Sequence, residues 1–448
     1  MVDFINNIEK VLTAISCLTV YRAVFEDPVL INFREALNLV VAKDRAAVNS
    51  YYNLLSRLIK EKDEQNLAGL DLFRDYLLNI ITSIENPYSF RCGKYPFEDI
   101  DQLLIRAVEN DLRLLKIIYD FELIGLENYL TENQVVRDLA PDLGGLIVGE
   151  SREERYPKYY FDKKASLKKT LILSADWRIN IKDFHRFYQK TGSGIFGRFW
   201  AFKWNGGNSV KGLKGVINPD PICIGDLVGY EDQKQEILRN TKQFVKGLSA
   251  NNILLYGDRG TGKSSTIKSL IHIFGAEGLR IIEVSKHDLL SLHNLVSEIE
   301  GRAQKFIIFI DDLSFEEDET EYKDLKALLE GSIAKPPANL LIYATSNRRN
   351  IVREFFSDRE TDEVGKQDTY QEKLSLADRF GIKIVYSAPN KQDYLRTVEE
   401  LAAKSDIKIE KSELHELALR WVLWHNARSG RTARQFIDDL YGKLNLND

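Results

Sequence analysis

Cysteine is scarce in this 448-residue chain. There are three, Cys17, Cys92 and Cys223, and none belongs to a CxxC pair. An odd, widely spaced set argues against a disulfide framework and suits a reducing cytoplasm. The six histidines form no HExxH or related spacing, which argues against a protein-held zinc ion. No apolar run approaches the roughly 20 residues of a membrane span, so no membrane insertion is expected. Strong net charge is also lacking: the chain carries −5, which excludes a generic polyanion binder. The apolar N-terminal stretch "MVDFINNIEKVLTAISCLTVYRAV" has Asp3 and Glu9 where a secretion signal needs positive charge, so an amphipathic helix is expected.

Hydrophobic residues make up 44% and charged residues 29%, the balance of a globular protein long enough for two or three domains. Residues 1–145 read as an α-helical domain. In "YYNLLSRLIKEK", Tyr51, Leu54, Leu55, Leu58 and Ile59 recur with the period of one helix face. Residues 146–220 read as a connecting segment of different character. Within 151–220, 15 basic residues face six acidic ones, and aromatics crowd into "GIFGRFWAFKW". Basic charge interleaved with aromatics fits a nucleic-acid surface, but side chains packed on a neighbouring domain are the favoured reading, since charge in one segment need not form one face. From 221 to 388 the rhythm is that of an α/β core. Five β-branched, apolar runs, at 251–256, 279–284, 305–310, 339–345 and 382–387, alternate with helical stretches. That pattern predicts a parallel sheet covered on both faces. Residues 389–448 return to helix, with Leu414, Leu417, Ala418, Trp421 and Val422 on one face.

The chemistry concentrates in "LLYGDRGTGKSST". Gly257, four residues, then Gly262, Lys263 and Ser264 match the phosphate-cradling spacing GxxxxGK[ST], between an expected strand and an expected helix. Here Gly257, Asp258, Arg259, Gly260, Thr261 and Gly262 form the loop whose N–H groups converge on phosphate oxygens, and Ser265 opens the helix behind it. Lys263 is placed to reach the β- and γ-phosphates of ATP, and Ser264 to ligate Mg²⁺. In "KFIIFIDDLSF", two carboxylates follow a buried strand, a costly placement unless a cation or water meets them. Asp311 fits as the Mg²⁺ partner. Asp312 fits as the group orienting the attacking water.

These motifs resemble those of the AAA+ ATPases. "ATSN" resembles the sensor 1 motif, which implies that Asn347 positions the hydrolytic water. "LSLADRFG" resembles the box carrying an arginine finger, which implies that Arg379 acts on a neighbouring subunit's site in a homo-oligomer. "SGRTARQFIDDL" resembles the sensor 2 helix of a C-terminal lid, with Arg434 on the γ-phosphate and Arg431 as the alternative. "DLVGYEDQK" resembles the adenine-pocket segment, placing Val228, Gly229 and Tyr230 near the base. The run from "FHRFYQKTGSGIFGRFWAFKWNGG" through "LSLADRFG", together with "ENPYSF" near residue 85, resembles an uncharacterised bacterial family of AAA+ ATPases with a helical N-terminal half.

The resemblance implies an AAA+ P-loop core with a five-stranded parallel sheet, a helical lid and a mostly α-helical N-terminal domain. It also implies ATPase activity that is slow or partner-stimulated, because Asp312 stands where most relatives carry Glu; Glu316 is a possible assistant. Arg379 could instead pair with Asp378, and Arg348 and Arg349 could face solvent or phosphate. A remodelling or loading ATPase acting on a protein or nucleic-acid partner is the leading function. An ATP-dependent nucleic-acid switch is the alternative, and a small-molecule kinase fits less well.

Overall fold

The computed structural model describes residues 2–64, 71–132, 158–207, 212–315, 325–326, 328–329, 336–347, 376–425 and 428–446. Glu316, Arg348 and Arg349 lie outside the described residues. By its contacts the chain divides into two compact units, 1–199 and 200–448.

The first unit is helical throughout its described length. Its helices are α1 (Val2–Ser16), α2 (Pro28–Val41), α3 (Ala46–Glu64), α4 (Leu72–Ser83), α5 (Pro87–Lys94), α6 (Gln102–Tyr119), α7 (Leu123–Leu130), α8 (Lys158–Leu173), α9 (Ile181–Thr191) and α10 (Gly194–Arg198). Several starts are written locally. Asp27 and Asp101 accept hydrogen bonds from the first free amides of α2 and α6, satisfying donors that a helix leaves open. The expected stripe on α3 is buried except for Ile59, which faces solvent. In "ENPYSF", Asn86 and Ser89 form a reciprocal cap at the start of α5, and Tyr88 donates to the carbonyl of Ile181. That motif's observed role is therefore structural.

The expected connecting segment does not stand apart. Its helices α8, α9 and α10 pack into the first unit, and the division at 199/200 falls inside it. The lysines of α8 explain part of its basic charge. Lys168 pairs with Asp75 at 2.6 Å, and Lys164 donates to Ser83 Oγ at 2.9 Å and to the carbonyl of Asn79, both on α4. Burial pushes the pKa of both ammonium groups down. Phe184, Phe187, Tyr188, Phe196, Phe202 and Trp204 are all buried, so these aromatics fill cores rather than an exposed stacking platform.

The second unit is built on a sheet, ordered β2–β1–β4–β5–β6–β3–β7 among the described residues. The strands are β1 (Ala201–Trp204), β2 (Leu213–Gly215), β3 (Ile253–Gly257), β4 (Leu279–Val284), β5 (Lys305–Ile310), β6 (Leu340–Ser346) and β7 (Ile382–Tyr386). All five expected strands are present, adjacent and parallel. The sheet is wider than expected by two. β1 pairs parallel with β4, and β2 pairs antiparallel with β1. This ribbon covers a β4 edge that would otherwise expose unpaired backbone groups. Helices α11 (Glu231–Val245), α12 (Lys263–Phe274) and α13 (Leu292–Ile299) belong to the core. Ile237 and Phe244 of α11 and Ile267, Leu270 and Ile271 of α12 bury against Ile253, Leu255, Ile307 and Phe309 of the strands. Three helices follow β7: α14 (Lys391–Lys404), α15 (Lys411–His425) and α16 (Gly430–Leu446). They enclose a separate apolar cluster around Tyr394, Val398, Ala418, Phe436 and Ile437. Among the described residues no helix is long and apolar enough to cross a membrane.

Candidate functional site

Strand order places the chemistry. β3, one strand in from the β7 edge of the sheet, pairs parallel with β6 and β7, and β5 pairs parallel with β6, so the loops leaving β3, β5 and β6 emerge at the same edge. There a cavity of about 1010 Å³ opens, a little beyond the usual range of about 300–1,000 Å³ for small-molecule sites. Arg259, Gly260, Thr261, Gly262, Lys263, Ser264 and Ser265 line it, facing Val228, Gly229 and Tyr230. Asp311, Asp312 and Asn347 complete its floor.

Two loop residues stand behind the cavity instead of lining it. Gly257 has φ +131°, and a Cβ there would lie 2.2 Å from the carbonyl oxygen of Tyr386, so only glycine fits. Asp258 turns away from the loop's concave face: its carboxylate accepts from Ala388 N at 2.6 Å, and its own N–H donates to the Tyr386 carbonyl at 2.9 Å. These bonds fix the loop to the strand end that leads into α14. Gly262, at φ +93°, then opens α12, where Thr266 N donates to its carbonyl at 2.9 Å.

Lys263 is only 6% exposed. Its ammonium donates to the carbonyls of Gly257 at 2.9 Å and Asp258 at 2.7 Å, and to Asn347 Oδ1 at 3.2 Å. Burial lowers its pKa, opposed by Asp258, Asp312 and Asp311 nearby. Ser264 Oγ donates to Asp311 Oδ1 at 2.5 Å, and Thr345 Oγ1 donates to the same oxygen at 2.6 Å. The N–H of Asp312 donates to Thr345 Oγ1 at 2.9 Å, and Asn347 Nδ2 donates to Asp312 Oδ1 at 2.5 Å. Asp312 itself takes φ +51°, a left-handed backbone that Asp tolerates better than most residues. One hydroxyl, that of Thr345, thus sets both acidic positions. Sequence reasoning passed over Thr345, although it stands inside the quoted "ATSN".

The donor set suits magnesium. A hydroxyl and a carboxylate in contact, with no group of three or more His, Cys, Asp or Glu ligands among the described residues, match an ion that keeps waters and takes its other ligands from phosphate.

Tyr230 takes φ +60° at the start of α11. Its ring stacks on Tyr386 at 4.7 Å between centroids, and its hydroxyl donates to the Ser387 carbonyl at 2.6 Å. Burial pushes both phenols up to about 12. Lys234 donates to the Leu227 carbonyl, pinning the segment before Val228.

The three arginines separate. Arg434 and Arg431 both line the cavity. The start of α16 meets the phosphate loop directly: Arg431 N donates to the Gly260 carbonyl at 3.2 Å, and Ser429 Oγ accepts from Thr432 N at 3.1 Å. Arg379 is elsewhere. It lines a second cavity of about 460 Å³ with Phe244, Asn251 and Gly381, beside the N-terminal ends of β3 and β7 and opposite the phosphate loop.

A mostly parallel sheet carrying the phosphate loop on β3 between β6 and β7, an acidic pair after β5 and a polar residue after β6, followed by a three-helix lid, defines the AAA+ P-loop fold. The family described as "Protein of unknown function (DUF815)" matches residues 197–444, and the chain belongs to it. Among solved structures, a point mutant of Thermotoga maritima RuvB is 17% identical, with TM-score 0.36, over 51% of this chain and 67% of that one. The FIGL-1 AAA domain in complex with ADP is 19% identical, with TM-score 0.33, over 50% and 74%. No curated protein matched the sequence.

Proposed function

We propose that the protein hydrolyses ATP to ADP and phosphate in the cavity beside β3, and couples nucleotide state to remodelling or loading of a macromolecular partner. One observation carries the reading: Lys263, Ser264, Asp311, Asp312 and Asn347, drawn from three loops, interlock by hydrogen bonds at one cavity. Hydrolysis at a γ-phosphoryl group needs positioning and charge stabilisation more than covalent chemistry. Lys263 neutralises β- and γ-phosphate charge. Asp312, oriented by Asn347, aligns the water, whose oxygen attacks the γ-phosphorus as the bond to the ADP oxygen breaks. Ser264 and Asp311 would hold Mg²⁺, which when bound supplies charge neutralisation at the phosphates. Arg434, or Arg431 beside it, contacts the γ-phosphate from the lid.

The core (221–388) and the lid (389–448) move against each other as nucleotide changes, and residues 1–145 confer partner specificity. The unit is a cytoplasmic homo-oligomer in which Arg379 completes a neighbour's site. Its position away from this chain's own phosphate loop supports that assignment. An arginine finger supplies about 10³–10⁵ in rate, or roughly 4–7 kcal/mol. A nucleic-acid switch has less support, because the buried aromatics of the basic stretch cannot stack on bases without unpacking their cores.

The test separates binding from chemistry. Lys263→Ala is expected to lose ATP binding. Asp312→Asn is expected to bind ATP normally while turnover falls at least a hundredfold. Unchanged turnover in both variants contradicts the reading.

A further inference from the structure

The lid lines the cavity with a further arginine besides Arg431 and Arg434. Arg396, on α14, lines the cavity, and its Nη2 lies 4.0 Å from where a Cβ on Gly229 would stand. The guanidinium therefore lies beside Gly229, in the middle of the Val228–Tyr230 segment. Asp393, one turn earlier on α14, steadies it at 3.5 Å. The other cations at this end are committed to the framework: Lys234 to the Leu227 carbonyl, and Lys404 to the Gly225 carbonyl and Asp226. Arg396 is 59% exposed and lines the same cavity as Tyr230.

A guanidinium there has a specific chemical use. It is planar and weakly hydrated, and it stacks on aromatic faces, which an ammonium does less well. Resting on the ATP reading above, we propose that Arg396 is a nucleobase ligand, covering the open face of the base so that the lid grips the nucleotide at both ends. The two grips differ in what they sense. Arg434 responds to the γ-phosphate and lets go after hydrolysis. Arg396 holds base and lid together in both ATP and ADP states, so the lid pivots on the base end as the phosphate end opens.

The experiment measures dissociation constants for ATP, ADP and inorganic triphosphate, each with Mg²⁺, in wild type, Arg396→Ala, Arg396→Lys and Arg434→Ala. Arg396→Ala is expected to weaken ATP and ADP equally, by about 3- to 30-fold, the range of a guanidinium–π contact. Triphosphate, which has no base, binds as before. Arg396→Lys recovers only part of the loss, and Arg434→Ala weakens ATP but not ADP. Unchanged ATP and ADP binding in Arg396→Ala overturns the proposal. So does an equal loss of triphosphate, which means the cavity has collapsed instead of losing a base contact. A wild type that binds triphosphate but no nucleotide sinks the ATP reading itself, and the base ligand with it.

Discussion

At the residue scale, glycines of one loop carry different burdens. Gly257 and Gly262 both sit at positive φ, yet a Cβ at Gly257 meets the Tyr386 carbonyl carbon at 2.8 Å, while one at Gly262 meets only a Leu227 methyl at 3.8 Å. Gly257→Ala must shift the backbone of β7 as well as strain its own, and is expected to destabilise the second unit by about 2–3 kcal/mol. Gly262→Ala pays mainly the conformational term, about 1 kcal/mol. Urea midpoints of the two variants check the order. The motif spacing made Lys263, Ser264 and the acidic pair legible, because each pair stands in a short stretch directly after a strand-forming apolar run, β3 or β5. Thr345, Tyr386 and Ser429 were not legible. Each acts through a neighbour 34 or more residues away, Thr345 on Asp311, Tyr386 beneath Tyr230 and Ser429 against Gly260, and local spacing does not encode such meetings.

At the element scale, long β-branched runs announced β3 to β7, whereas β1 and β2 escaped notice. Four and three residues long, they show too little alternation to register, and their place is decided by the β4 edge they cover. The charge of the connecting stretch misled in a similar way. A count of lysines cannot say that Lys164 and Lys168 turn inward to staple α8 onto α4. Asp75→Ala tests that staple. Removing the carboxylate leaves the Lys168 ammonium, 14% exposed, without its ion-pair partner, and is expected to cost about 3 kcal/mol near pH 7. The pH dependence has a definite sign. Lys168 already titrates below its ordinary 10.5 through burial, and losing Asp75 lowers it further. The folded state then binds fewer protons than the unfolded one between those two pKa values, so stability rises with pH across that window. In the variant the deficit shrinks as pH rises toward 10.5, as denaturant midpoints across pH will report.

At the scale of the whole molecule, the proposed shared site depends on Arg379, which lines a different cavity from the one that holds Lys263. Family resemblance implies a finger role for Arg379, which lies at the opposite ends of the strands from the phosphate loop. The most direct measurement is ATP turnover per subunit in mixtures of Arg379→Ala with Asp312→Asn, each nearly inactive alone. If Arg379 acts across an interface, mixing pairs an intact Asp312 with an intact Arg379 and restores a substantial fraction of wild-type turnover. Arg379→Ala should also bind ATP as wild type does. If mixtures stay as inactive as their components, or if Arg379→Ala alone turns over at the wild-type rate as a monomer, the shared-site account is contradicted.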